Sequence, residues 1–210
     1  MLIRETAMPK LEFWYEFAST YSYLSVMRIE ELAARRGVEV EWKPFLLGPI
    51  FQAQGWRDTP FRLYPNKGLY MVRDMERLCA ARGLTFKLSR IFPQNGLNAA
   101  RIGLIGAREG WAPAFTREVF LRQFRDDADI AHKNVLADAL RVIGQDPDDL
   151  LARIQDPAVK EALKSQTETA ASFGIFGAPT FITEDNELFW GDDRLEQAVD
   201  WAADGNPTRP

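Results

Sequence analysis

Residues 11–43 constrain this chain most, because they read as strand, helix and strand in immediate succession. Leu11 to Phe17 (LEFWYEF) is rich in aromatic residues and alternates in part, the pattern of a buried strand. Ser19 and Thr20 supply N-cap chemistry for a helix expected to run to about Arg36. Its apolar face is Ser22, Val26, Ile29 and Ala33, and Gly37 stands where a left-handed stop belongs. Val38 to Lys43 (VEVEWK) alternates with period two and reads as a second strand. Two strands joined by one helix form a parallel pair with a right-handed crossover, which excludes a hairpin opening.

The chain then changes character twice. Residues 48–66 carry Gly48, Pro49, Gly55, Pro60 and Pro65 and read as a long irregular connection. Helical patterns follow. Met71, Met75 and Leu78 share one face before Gly83, and Leu97, Ala100, Leu104 and Ala107 share another before Gly110. Ala114 to Phe124 is apolar nearly all round and reads as a central helix, and Leu136, Leu140 and Ile143 mark a further one. Asp146-Pro147 caps the next, with Leu150, Leu151 and Ile154 behind it. Near the C-terminus, Val159 to Phe173 gives a long helix stopped by Gly174. Residues 179–183 and 187–190 then flank a polar Glu184-Asp185-Asn186 turn as an antiparallel hairpin. A final helix opens at Gly191-Asp192-Asp193, with Asp193 and Glu196 spaced as a capping box, and buries Leu195, Ala198, Val199 and Ala202. The order βαβ, all-α block, αββα predicts an α/β chain: a thioredoxin-like fold with an inserted all-α helical domain. The expected boundaries are 9–57 and 156–205 for the thioredoxin-like part and 58–155 for the insertion. The 210 residues suit one domain with an insertion at the usual ~150 residues per domain.

Scarce residues narrow the chemistry. A single cysteine, Cys79, rules out a disulfide within the chain, a Cys-x-x-Cys pair and a cysteine zinc site. The one histidine, His132, cannot build a histidine metal cluster, so no metal is expected, although a carboxylate-only magnesium site stays open. A Ser-His-Asp hydrolase would need His132, which follows the charged stretch Arg125-Asp126-Asp127-Ala128-Asp129 and reads as a surface residue. Hard chemistry here is expected from a bound small molecule. The net charge of −4, from interspersed charges, argues against a nucleic-acid partner. Met1 to Lys10 has no long apolar stretch, and no run approaches ~18 apolar residues, so a cytoplasmic protein without a membrane span is expected.

Three places can carry chemistry. The first strand meets the first helix at Ser19-Thr20-Tyr21-Ser22, where unpaired N–H groups and the helix dipole favour a bound anion. Two serines there cannot do redox chemistry, but a hydroxyl can hold another molecule's thiolate; Ser19 can equally be a plain N-cap. Gly177-Ala178-Pro179 begins a strand with proline, a candidate cis bond that would leave the Ala178 backbone to pair with an extended ligand; the alternative is an ordinary edge strand. Gly191-Asp192-Asp193 can take a carboxylate on backbone N–H groups and an amine on an aspartate, or the aspartates can simply cap.

Together, Phe17-Ala18-Ser19-Thr20-Tyr21-Ser22-Tyr23-Leu24, Leu63 to Met71 (LYPNKGLYM), Phe92-Pro93-Gln94-Asn95, Phe176-Gly177-Ala178-Pro179-Thr180 and Phe189-Trp190-Gly191-Asp192-Asp193-Arg194-Leu195 resemble the 2-hydroxychromene-2-carboxylate isomerase family, from about Leu11 to Trp201 and in family order. That family is related to kappa-class glutathione transferases and shares their DsbA-like, cysteine-free architecture. The resemblance implies glutathione as cofactor and a homodimer. It implies that Ser19 keeps the glutathione sulfur a thiolate, that Ala178 before Pro179 pairs with the cysteinyl backbone, and that Asp192 and Asp193 hold the γ-glutamyl end. Pro65 and Lys67 match a segment lining the cofactor groove, and Lys43, Asn95 and Asn98 match contacts to the organic substrate, an aromatic carboxylate. Two positions depart from the family. Thr20 stands where proline is usual, and Asp192 where serine or asparagine is common, so a second carboxylate would face the glutamyl carboxylate unless only its N–H is used. The implied activity is cis–trans isomerisation by reversible addition of the thiolate to a conjugated double bond. A kappa-like transferase or peroxidase and a catalytically silent binding protein are the alternatives.

Overall fold

The computed structural model describes residues 8–205. Up to residue 7, the N-terminal stretch discussed above lies outside the described residues. The chain runs β1 (Lys10–Tyr15), α1 (Thr20–Val26), α2 (Ile29–Arg36), β2 (Glu39–Pro44), α3 (Leu47–Ala53), α4 (Pro60–Leu63), α5 (Pro65–Ala81), α6 (Leu97–Glu109), α7 (Ala112–Phe124), α8 (Lys133–Val142), α9 (Pro147–Arg153), α10 (Pro157–Ser172), β3 (Thr180–Thr183), β4 (Leu188–Trp190) and α11 (Leu195–Asp204). The sheet order is β2-β1-β3-β4, with β1 parallel to β2 and antiparallel to β3, and β3 antiparallel to β4. The parallel pair and the C-terminal hairpin of the thioredoxin-like fold are both present. Among the described residues no helix is long and apolar enough to cross a membrane.

The alternation of β1 explains its aromatic content. Leu11, Phe13 and Tyr15 point to one face, where Phe13 stacks on Phe181 at 5.4 Å and meets Trp42 edge-on at 5.1 Å. Trp14 points to the other face, into a smaller cluster with Phe45, Ile50, Ala170, Ile175 and Ile182. The larger core continues without a break from the sheet into the helical block. Phe17 stacks on Phe120 of α7 at 5.4 Å, and the Tyr15 hydroxyl and Thr116 of α7 share a hydrogen bond of 2.9 Å. α7 thus packs the helical block onto β1 and α1, while α6 packs on β2.

Three elements differ from expectation. The helix expected over 20–36 is broken between α1 and α2, where Arg28 adopts φ −139° and turns its guanidinium to Asp192 and Glu196. The stretch 48–66 contains α3, α4 and the start of α5: Pro49 sits in the first turn of α3, and Pro60 and Pro65 open their helices, where a missing N–H costs nothing. At the C-terminus a 3₁₀ turn, Asp192–Arg194, precedes α11, so Asp193 does not cap that helix and the expected capping box is not formed. The stops at Gly37, Gly110 and Gly174 are left-handed, with φ of 65°, 86° and 76°. Asp146 caps α9 by accepting from the Asp148 N–H at 2.9 Å.

Candidate active site

The site is built around the turn that carries β1 into α1. The Ser19 N–H donates to the Glu16 carbonyl at 2.9 Å, closing a four-residue turn, and Ser19 then takes an extended backbone, φ −86° and ψ 118°. Its hydroxyl has two roles. It accepts from the Ser22 N–H at 3.2 Å, a true N-cap, and donates to the Ala178 carbonyl at 2.8 Å. The capping reading of Ser19 holds, and the same hydroxyl joins α1 to the Ala178 loop. Thr20 is buried at the first helical position, and the helix start is capped despite the absence of proline. Because α1 has seven residues, little macrodipole accumulates, and the local donors at the turn matter more than the dipole.

Ala178 is held opposite by its own loop. The Ala178–Pro179 bond is cis. The Thr180 hydroxyl donates to the Gly177 carbonyl at 2.9 Å, and the Gly191 N–H donates to the Pro179 carbonyl at 3.0 Å. Gly177 lies under the Trp190 indole, where a Cβ would collide with Nε1, so only glycine lets the loop pass. Among the described residues the Ala178 N–H makes no hydrogen bond.

The two aspartates of the 3₁₀ turn separate. Asp192 is 3% exposed and accepts from Ser25 Oγ at 2.9 Å, Arg28 Nε at 3.3 Å and Arg82 Nη2 at 2.7 Å, while its carbonyl accepts from Arg28 Nη2 at 2.7 Å. Its carboxylate and carbonyl are therefore both committed to the protein. Asp193 is exposed, ion-paired with Arg194 at 3.1 Å, and its charge acts on Tyr21. Burial first, then the bond to Asp74, pushes the Tyr21 phenol up.

That bond, Tyr21 Oη to Asp74 Oδ2 at 2.9 Å, ties α5 to α1. Pro65 opens α5, and Lys67 lies seven residues before Asp74 on the same helical stripe, about 10 Å along the axis. Asp74 has no sequence signal that points to the site, because it lies 53 residues from Tyr21 along the chain.

Asn95 arrives from a third direction. The Phe92–Pro93 bond is also cis. Gln94, 4% exposed, donates to the Ala128 carbonyl at 3.2 Å and accepts from the Ile130 N–H at 2.9 Å, fixing the loop. Gly96 packs so closely on the Ser19 turn that a Cβ would lie 2.9 Å from Phe17 Cβ. Asn95 Oδ1 accepts from the Leu97 N–H at 3.0 Å, which leaves its amide N–H groups free to donate. Asn98, in the first turn of α6, is half-buried.

Lys43 does not join this group. It stands opposite Trp14 on β2, with its ammonium 2.8 Å from Glu41 Oε2 and 3.5 Å from Glu12 Oε1. It borders a separate groove of about 910 Å³ along the β2 edge, lined also by Leu104, Arg108 and Gln166 and not by Ser19, Ala178, Asn95 or Asp193. The chain's own thiol is buried too: Cys79 lies in the core, and burial pushes it up to about 11.

The family model for a DSBA-like thioredoxin domain matches residues 10–201. The chain belongs to the DsbA-like thioredoxin family. Among its DsbA-like relatives, 2-hydroxychromene-2-carboxylate isomerase of Sphingobium xenophagum is 27% identical over 186 residues, covering 89% of this chain and 94% of that protein. Glutathione S-transferase kappa 1 of Homo sapiens is 26% identical over 199 residues, covering 89% and 87%. A solved structure of 2-hydroxychromene-2-carboxylate isomerase matches with a TM-score of 0.81 at 23% identity, covering 90% of this chain and 91% of that one, a likeness of fold. Where a DsbA-like redox site would need thiols, this chain presents Ser19 and Ser22.

Proposed function

We propose that this protein is a glutathione-dependent cis–trans isomerase of 2-hydroxychromene-2-carboxylate-type aromatic catabolites, working as a cytoplasmic homodimer. The observation that carries this reading is the Ser19 hydroxyl, held between a helix N-terminus and the Ala178 carbonyl. The donor set suits a peptide thiol: one hydroxyl for sulfur, one backbone N–H and C=O at Ala178 for an extended chain, and separate cationic and anionic ends at Lys67 and Asp193. The names of the relatives, isomerases and glutathione transferases, support the same cofactor and reaction.

Bound glutathione supplies a sulfur nucleophile that adds reversibly to the conjugated double bond, leaving a single bond free to rotate. Ser19 has one hydroxyl proton, and in this structure Ala178 accepts it. A ligand N–H pairing with that carbonyl would release the hydroxyl to turn to sulfur. A hydrogen bond to a charged group contributes about 1.5–3 kcal/mol, enough to lower a thiol from ~8.5 by one to two pH units. Asp193 takes the ammonium of the γ-glutamyl end, Asp192 contributes its backbone N–H, and Lys67, beyond Pro65, offsets a carboxylate. On the substrate side, the free amide donors of Asn95, with Asn98 beside it, suit the oxygen that gains charge on addition. Lys43 reaches an organic substrate only by leaving Glu41 and Glu12.

The test is turnover of a 2-hydroxychromene-2-carboxylate with sub-stoichiometric glutathione. Conversion beyond the glutathione present, with none consumed, and a loss of about 10- to 100-fold in Ser19→Ala are expected. The kappa-type relatives favour one second reading, a transferase; stoichiometric consumption of glutathione would replace the isomerase with it.

A further inference from the structure

The lysine assigned to a ligand carboxylate has nothing of its own to aim it. Lys67 is exposed and, among the described residues, makes no ion pair. A free lysine loses rotamer freedom when it meets a carboxylate, so the placing of its backbone decides how well it can do so. That backbone belongs to the first turn of α5, which rests on α4. A Cβ added to Gly68 would lie 2.6 Å from the Phe61 carbonyl oxygen and 3.5 Å from Phe61 Cδ2, so only glycine lets the two helices meet this closely. The Gly68 N–H donates to the Tyr64 carbonyl at 2.9 Å, and the Arg62 and Leu63 N–H groups both donate to the Thr59 carbonyl at 3.0 Å. α4 and the start of α5 therefore form one corner.

The corner is clasped to the loop that carries Asn95. The Phe61 ring meets the Phe92 ring edge-on, with centroids 4.9 Å apart, and Arg62 Nη2 donates to the Phe92 carbonyl at 3.0 Å. Arg62 is exposed and solvent competes for its bond, so the ring pair is the main clasp. The loop itself is anchored elsewhere, by Gln94 on Ala128 and Ile130 and by Gly96 on the Ser19 turn. Contacts thus run from Lys67 and Gly68 through Phe61, Phe92 and Gly96 to the turn below Ser19.

α5 has a second fixing point, Asp74 on Tyr21, about 10 Å along its axis from Lys67. The Tyr21 contact holds the helix beside α1, and the Phe61 clasp holds the end that carries Lys67. In the glutathione reading, an extended tripeptide with its ammonium at Asp193 and its sulfur at Ser19 directs its last carboxylate toward Lys67. We infer that Phe61 is a positioning residue which, through Lys67, gives the site its preference for a ligand ending in a carboxylate over the same ligand ending in an amide. The inference rests on the glutathione reading and deepens it.

The experiment measures binding of glutathione and of its C-terminal amide by calorimetry, in the wild type, Phe61→Ala, Phe61→Tyr, Lys67→Gln and the Phe61→Ala, Lys67→Gln double variant. The amide keeps the thiol and the γ-glutamyl end, so its binding also reports whether each variant is folded. Phe61→Ala is expected to weaken glutathione about three- to tenfold and the amide by less than about twofold. Phe61→Tyr keeps the ring contact and is expected to bind as the wild type does. In the Lys67→Gln background, Phe61→Ala is expected to change glutathione binding by less than about twofold. Equal weakening of both ligands, an equal effect of Phe61→Ala with and without Lys67, no effect at all, or Phe61→Tyr behaving like Phe61→Ala overturns this inference alone. No binding of either ligand to the wild type overturns the glutathione reading, and this inference with it.

Discussion

The substitution Asp192→Asn separates the structural role of this residue from the ligand role implied by family resemblance. The carboxylate is 3% exposed and meets Arg28 and Arg82, whose side chains are 18% and 28% exposed. Removing one partner of a fully buried ion pair costs about 3–5 kcal/mol, because the other charge is stranded. Here both arginines keep some solvent and Arg28 keeps Glu196, so about 2–3 kcal/mol is expected. The amide oxygen introduced by the substitution would still accept from Ser25. With a urea slope of about 2–3 kcal/mol/M, the unfolding midpoint should fall by about 1 M. A double-mutant cycle with Arg82→Met should show a coupling of at least about 1 kcal/mol. Glutathione affinity, measured on the folded variant, should change by less than about threefold, well under 1 kcal/mol. A variant as stable as the wild type that has lost glutathione binding would refute this reasoning, because the carboxylate would then belong to the ligand.

Two further substitutions probe the turn below Ser19. Gly96→Ala drives a Cβ to 2.9 Å from Phe17 Cβ and 3.4 Å from Glu16 Oε1. Overpacking of this kind costs about 1–3 kcal/mol, so the melting temperature should drop by about 2–10 °C; an unchanged melting temperature would mean the turn yields freely. Glu16→Gln should alter the pH dependence of stability. The folded state raises the Glu16 carboxyl from 4.5 to about 7, so it binds that proton more tightly than the unfolded chain. The stability this gives is full below about pH 4.5 and is lost as pH rises through 7, a loss of about 3 kcal/mol at 1.36 kcal/mol per pH unit. Denaturant titrations at about pH 5 and 8 should therefore show Glu16→Gln gaining on the wild type with pH; a constant difference would contradict the buried, unpaired carboxyl.

Features written in local sequence were legible. The alternation of β2, the left-handed stops at Gly37, Gly110 and Gly174 and the Asp146-Pro147 cap depend on neighbours within a few residues, and each stands where its pattern indicates. The hairpin turn before β4, with Asn186 at φ 63°, belongs with them. What was not legible depends on partners far along the chain. The break at Met27–Arg28 is fixed by Asp192, 164 residues beyond Arg28, and the same contact buries the Asp192 carboxylate. Prolines 49, 60 and 65 carry one signal for both loop and helix start, and only the fold selects the second. Lys43 is claimed by Glu41, two residues away on the same strand face, and by Glu12 across the β1–β2 pair, a register that motif spacing does not reveal. Glu16 did leave a sign: a charge directly after a buried aromatic run and three residues before the capping serine.

In the proposed function, Ser19 holds the sulfur of glutathione as a thiolate. The most direct measurement is the ultraviolet difference spectrum on adding glutathione at about pH 6.5 to the wild type and to Ser19→Ala, with binding measured in parallel. At that pH free thiol is almost wholly protonated, so a thiolate signal must come from the protein. That signal is expected in the wild type and lost in Ser19→Ala, with binding retained through Ala178 and Asp193. Binding to the wild type with no thiolate signal, or an equal signal in both proteins, would contradict it.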